Sequence, residues 1–343
     1  RFAITFYETP RAALGPELTK DYDRRNLVNG MGMTMGYIGG IFISFVMLGF
    51  FLEETDAFQG ANAYFNSSAY ENFGILAAVM TLIFGFISAI STHKYIPQLH
   101  QAEIESKFSI RELKKELIES LSNKPWLILV SSGCFYALSI GLTYGTGTYI
   151  GAYFWQWTPE DISLFPIVSG LSAILGAIFA VVLARGREKK NLCVSVFIAA
   201  TFITPMPYWL RLLEQYFSFP LFPSNGTDLI WWVILLHTAI TDFLSVMGFV
   251  LVISMAFDVV ENSQTKTGRR DEGLFLSGPG LIQKVLTGLG LFILGIVLQF
   301  IGFDTKGSID EMQDPIYSLV TFQSTVAPLL TIVATIILIF YGY

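Results

Sequence analysis

Residues Gly273–Phe303 read GLFLSGPGLIQKVLTGLGLFILGIVLQFIGF, 31 residues with a single charge, Lys284, about a third of the way along. A membrane-crossing helix needs about 20 predominantly apolar residues, so this run predicts one. An ammonium at that depth costs roughly 2.5–3.5 kcal/mol on insertion scales, which a sequence keeps where the group faces a protein interior or a watery cavity. The preceding loop, Asp258–Glu272 (DVVENSQTKTGRRDE), mixes acids and bases. Glycines at 278, 280, 288, 290 and 295, with Pro279, permit close packing and bending of the helix. The competing role for Lys284, snorkelling back to the basic loop, spans about 16 Å of helix rise. The reading that follows is a charge set in a transport pathway.

Outward from this segment the whole chain has the same character. Hydrophobic residues make up 53% and charged residues 14%, against about 25% charge in soluble domains. The mean hydropathy is +0.56. Apolar runs predict eight spans: Leu27–Leu52, Phe73–Thr92, Trp126–Gln156, Ile162–Ala184, Leu192–Leu210, Leu229–Phe257, Gly273–Phe303 and Ile316–Tyr343. Phe2–Leu14 adds part of a ninth. The fold class is therefore all-α and polytopic, with no soluble domain long enough to stand alone. Placed span by span, 16 of the Lys and Arg residues fall on one side, including Arg185–Lys190 and Lys266, Arg269 and Arg270. Arg211 and Lys306 fall on the other, with Glu53, Glu54 and Asp56. The positive-inside rule makes the basic side cytoplasmic and puts the last span's end there. The expected location is a cell membrane, the plasma or inner membrane.

Cys134 and Cys193 lie inside apolar spans and read as small core residues, with no disulfide framework and no metal site. The chain begins at Arg1 with no charged n-region of a signal peptide, and both ends read as truncated. The one long connection on the basic side, 93–125, carries a capping box at Ser109–Glu112. Behind it Ile110, Leu113, Leu117 and Leu121 sit at helical spacing, which predicts an amphipathic helix strapped along the bundle. Two spans and a fragment precede this linker and six follow it. Transporters built of two six-span halves have this plan. The expected organisation is residues 1–92 as the remainder of a first bundle (helices four to six), 93–125 as the linker, and 126–343 as a complete second bundle (helices seven to twelve). Nucleotide-binding loops, zinc-protease motifs and CxxC pairs do not occur, so an ATP-driven pump or a soluble enzyme chemistry finds no motif here. Nothing calls for nucleic acid or for a cofactor, and a monomer is expected.

The ionisable and aromatic residues inside the spans are the candidates for solute or cation binding. Glu8 lies beside Pro10 and Arg11; it either couples a proton or Na⁺ to solute or forms an ion pair with Arg11. Lys284 and Gln283 form the second group. Asp242 lies deep in its span, whereas His237, nearer the boundary, reads as a satisfied or solvated histidine. Trp126–Gln156 has no acid or base between its ends but is rich in hydroxyls and aromatics, with Tyr136 and Tyr144 suited to hydrogen-bond and stack on a polar solute. Asp258, Glu261, Arg269, Arg270 and Glu272 form a candidate gate of ion pairs on the cytoplasmic side. Asn66 and Asn225 begin sequon matches of the frequency chance supplies.

The stretch PRAALGPELTKDYDRRNLV (Pro10–Val28) and the loop DVVENSQTKTGRRDEGLF with Lys284 behind it resemble the glycoside–pentoside–hexuronide:cation symporters, the melibiose-permease-like branch of the major facilitator superfamily. The resemblance runs from the fourth to the twelfth transmembrane helix of an expected twelve. It implies the superfamily fold and cation-coupled symport of a sugar, glycoside or uronide by alternating access, with Na⁺ or H⁺ as the coupling ion. It also implies that Glu8 matches the helix-four acid of the sugar and cation site, that Lys284 matches the helix-eleven lysine near it, and that Phe249 keeps an aromatic where the melibiose permease has tryptophan. Ala12 replaces that permease's sugar-stacking tryptophan, Gly280 replaces a cation-site threonine, and no Arg occurs between Arg25 and Lys94. These departures point away from melibiose itself. The same branch contains sodium-dependent lysophosphatidylcholine transporters, which makes lysolipid movement the rival reading; a membrane-embedded enzyme or scaffold stands behind both.

Overall fold

The computed structural model describes residues 22–98, 123–267, 272–304 and 311–342. Helices α1 (Tyr22–Val46) and α2 (Ser67–His93) are followed by α3 (Lys124–Tyr149), α4 (Phe165–Ala184), α5 (Lys189–Ile203), α6 (Met206–Leu213), α7 (Asp228–Thr267), α8 (Glu272–Phe300) and α9 (Gln313–Ile339). Among the described residues the sole β feature is the Thr55–Phe58 bridge. Seven helical segments among the described residues are long and apolar enough to cross a membrane. They match the seven spans predicted from Phe73 onward, with α5 and α6 counting as one crossing broken at Thr204–Pro205. The span expected at Leu27–Leu52 is α1 running on into a π-helical turn, Met47–Phe51, with a shorter apolar stretch at Met35–Phe51. The partial span at Phe2–Leu14 and the amphipathic helix at 109–121 lie outside the described residues.

The described chain falls into two compact units: residues 22–53 with 66–98, and residues 54–65 with those from 123 onward. In the first, α2 opens on Asn66, whose side chain accepts from the backbone N–H groups of Ser68 and Ala69 as an N-cap. That Asn is buried in its cap, so the first sequon match has a local structural role.

In the second unit α3 packs between α8 and α9, and α7 packs against α4 and α5. Lipid offers no hydrophobic drive for helices to associate, so small residues and interhelical hydrogen bonds hold them together. Both occur. A Cβ on Gly141 of α3 would run into the Thr287 carbonyl of α8, and one on Gly176 of α4 into the Phe243 carbonyl of α7. Ser132 and Ser139 of α3 donate to the Ala334 and Ala327 carbonyls of α9 at 2.8 and 2.9 Å. Residues Ala63 and Tyr64, from the α1–α2 connection, are buried in this unit; Tyr64 donates to the Thr158 carbonyl and Phe65 lies against Tyr149 and Tyr153.

At the end away from the basic loops, α3 finishes in a π-helical turn, Ile150–Phe154, and Gln156 takes φ 59°, a left-handed value, as Trp157 N–H reaches the Gly151 carbonyl. Arg211 closes this end. It bonds Glu214, Asn225 and the Pro223 carbonyl and lies over the rings of Trp155 and Phe222. Asn225 also donates to the Phe154 carbonyl at 2.7 Å, so the second sequon asparagine is a structural residue too.

Candidate functional site

Near the basic-loop end of the second unit, α3, α5, α7, α8 and α9 enclose a cavity of about 240 Å³. Helical periodicity explains its wall. Phe249, Val252, Ile253 and Ala256 recur on α7 at intervals of three and four residues, one face of a helix. Trp126 and Phe197 add rings from α3 and α5. Polar groups are few: Ser132, Tyr136 and Gln283, with the Cys134 thiol. Ser132 already donates to Ala334, which leaves the phenol of Tyr136 and the amide of Gln283 as the groups suited to a solute. Tyr136 is itself held, its hydroxyl 2.9 Å from Ser245 Oγ on α7 and its ring stacked on Phe197 with centroids 5.2 Å apart.

Three residues singled out in the sequence therefore meet here: Tyr136, Phe249 and Gln283. Lys284 follows Gln283 but projects about 100° further round α8; its side chain is exposed and does not line the cavity. Asp242 lies on α7 about two turns from Phe249 and hydrogen-bonds Ser169 of α4. Tyr144, about two turns along α3 from Tyr136, is 77% exposed. His237 is satisfied by the Ile203 carbonyl at 2.9 Å, at the α5–α6 break where Pro205 ends the helical ladder. Of the gate residues, Asp258 is paired with Lys189, both carboxylate oxygens 2.7 Å from Nζ. Glu261 and Glu272 belong to α7 and α8; their side chains, with Arg269, Arg270 and Glu8, lie outside the described residues.

The sequence reading missed Lys189 as a partner for Asp258, since its basic run served there only to orient the chain. It also treated the two cysteines alike. Cys193 is indeed fully buried, but Cys134 borders the cavity and is partly exposed. No periodic signal separates the two, because both sit in uninterrupted apolar runs. Trp126, at the first turn of α3, carried the cue of an aromatic beside Asn123-Lys-Pro, a helix start, but nothing local joins it to Phe249.

A family model described as MFS/sugar transport protein matches residues 1–343. The isoprimeverose transporter of Lactiplantibacillus pentosus is 23% identical over 297 residues, covering 86% of this chain and 56% of that protein. An uncharacterized symporter of Synechocystis is 40% identical over 57 residues, 17% of this chain and 10% of that protein. The chain thus spans little more than half the length of the first relative and a tenth of the second.

Proposed function

The chain belongs to the MFS/sugar transport protein family, and from that premise we propose that it is part of a cation-coupled symporter that carries a sugar, glycoside or uronide by alternating access. It is a multi-pass membrane protein of seven apolar membrane-length helices among the described residues. The proposed location is the cell membrane, with the C-terminus cytoplasmic. Na⁺ or H⁺ is the proposed coupling ion, with Glu8 binding it or the solute and Lys284 supplying a balancing charge from outside the cavity wall. The chemistry asked of the protein is transport rather than catalysis.

The observation that carries the reading is the cavity in the second unit. At about 240 Å³ it falls just below the roughly 300–1,000 Å³ of pockets for drug-sized ligands, and it is open on one side, so it takes a small solute of one or two rings. Its wall is richer in carbon than a polar solute alone would require. Sugars have apolar C–H faces that pack on aromatic rings, and Trp126, Phe197 and Phe249 present such rings while Tyr136 and Gln283 offer hydrogen bonds. The name of the Lactiplantibacillus relative supports a glycosyl-sugar solute, and isoprimeverose is the probe to try first.

Cys134 supplies the test. With Cys193 fully buried, N-ethylmaleimide should modify Cys134 in the whole protein, and saturating isoprimeverose should slow that reaction several-fold. Equal rates with and without sugar, in a protein that takes the sugar up, would remove the solute from this cavity. Protection by lysophosphatidylcholine but not by sugar would favour the lysolipid reading.

A further inference from the structure

Resting on that reading of the cavity, we infer that Ser245 and Gly248, neither of which lines it, are positioning residues that set solute specificity by fixing Tyr136 from behind the wall. Both lie on α7 within one helical turn. Ser245 Oγ stands 2.9 Å from the Tyr136 hydroxyl. Gly248 acts one layer further back. A Cβ built there would stand 2.7 Å from Cε1 and 3.2 Å from Cδ1 of Phe197, a separation that ring carbons do not tolerate. Phe197 is 3% exposed and borders the cavity, so a ring pushed from the α7 side moves toward the cavity and takes the Tyr136 ring with it. Gly248 meets the edge of the Phe197 ring, and one face of that ring carries the Tyr136 ring, nearly parallel at 19° and 5.2 Å. The layers thus run from the backbone of α7, through a ring from α5, to a ring from α3, and only the last two reach the cavity.

This arrangement holds the phenol at both ends. A tyrosine hydroxyl has one donor and two acceptor positions. Ser245 occupies one of them, which fixes the direction of the remaining capacity that a solute in the cavity would meet. A fixed hydrogen-bonding group discriminates strongly between a solute that presents a hydroxyl to it and one that does not, because the unmatched group is left desolvated and unpaired. A freely rotating phenol would accept hydroxyls over a wider arc and discriminate less. Ser245 and Gly248 are therefore expected to act on apparent affinity and on the choice among sugar epimers, through Tyr136.

The test is a set of uptake measurements on the whole protein in proteoliposomes with isoprimeverose. Ser245→Ala should raise KM about three- to tenfold, the factor of one lost hydrogen bond, with Vmax per inserted transporter little changed. In a Tyr136→Phe background, where the hydroxyl is already gone, the same substitution should change KM less than about twofold, because the pair acts as one unit. An equal factor in both backgrounds, or a loss of Vmax with KM unmoved, would overturn the inference. Gly248→Ala should also raise KM, and in the Tyr136→Phe background the same substitution should change KM less than about twofold. An equal factor in both backgrounds reduces Gly248 to simple packing and overturns its part. If Tyr136→Phe leaves KM unaltered the positioning role falls, and wild-type Cys134 then separates the cases. Continued protection by sugar leaves the cavity reading standing, whereas absent protection removes both.

Discussion

Pro328 lies inside α9, and because proline has no N–H it cannot donate to the carbonyl of Ser324 one turn earlier. Ser324 is buried, and the indole Nε1 of Trp209, on α6, donates to that carbonyl at 3.1 Å. A side chain from another helix thus replaces a missing backbone donor, as buried carbonyls in a bilayer require. Trp209→Phe keeps a ring in place and removes the donor. It should cost about 1–3 kcal/mol for the unsatisfied carbonyl, measured as a lowered midpoint of unfolding in detergent against a Pro328→Ala background, where the helix regains its own N–H and the loss should shrink. At this scale the proline and the tryptophan are plain in the sequence. Their pairing is not, because 115 residues separate donor and acceptor and no local pattern links them.

Helix α8 shows why equal letters carry unequal weight. The sequence reading grouped its glycines together as permissive of close packing. In the structure Gly290 is pressed on α3: a Cβ there would stand 2.8 Å from the Leu142 nitrogen and 2.9 Å from the Gly141 carbonyl carbon, backbone atoms that cannot turn aside. Gly288 and Gly295 have nothing within 4 Å. Gly290→Ala should therefore separate α8 from α3 at a cost of about 1–3 kcal/mol, while Gly288→Ala should be neutral or stabilising by up to about 1 kcal/mol through helix propensity. Thermal inactivation of the two variants in the same detergent checks this, and equal effects would contradict the close crossing. Apolar length and alternating charge made the seven later spans legible within a few residues, since the bilayer imposes both. The rotation of each helix about its axis was not legible. Hydrophobic residues face lipid and core alike, so no amphipathic stripe reports which side is inward. For the same reason Tyr136, Phe249 and Gln283 could be nominated but not joined, and Ser245 and Gly248 were not nominated.

For the molecule as a whole, the proposed coupling needs both a charge in the pathway and a cation to answer it. Lys284→Ala in the whole protein should abolish most gradient-driven uptake while leaving exchange of bound solute less affected, measured in vesicles with and without a Na⁺ or proton gradient. Uptake and cation dependence equal to wild type would sink the proposed role of Lys284. The fold class and the crossing pattern were readable from composition. The division of the second unit was not, because residues 54–65 enter it from a connection between two helices of the first, a distant pairing that leaves no mark on local hydropathy. That borrowed segment has a consequence in time. The hydroxyl of Tyr64 and its acceptor on Thr158 lie 94 residues apart, and a chain elongating at about 5–20 residues per second separates their synthesis by roughly 5–20 s. Throughout that interval the faces of Ala63, Tyr64 and Phe65 await a surface that does not yet exist. The earliest-made part of the second unit therefore stays without these partners until the end of α3 has been synthesised.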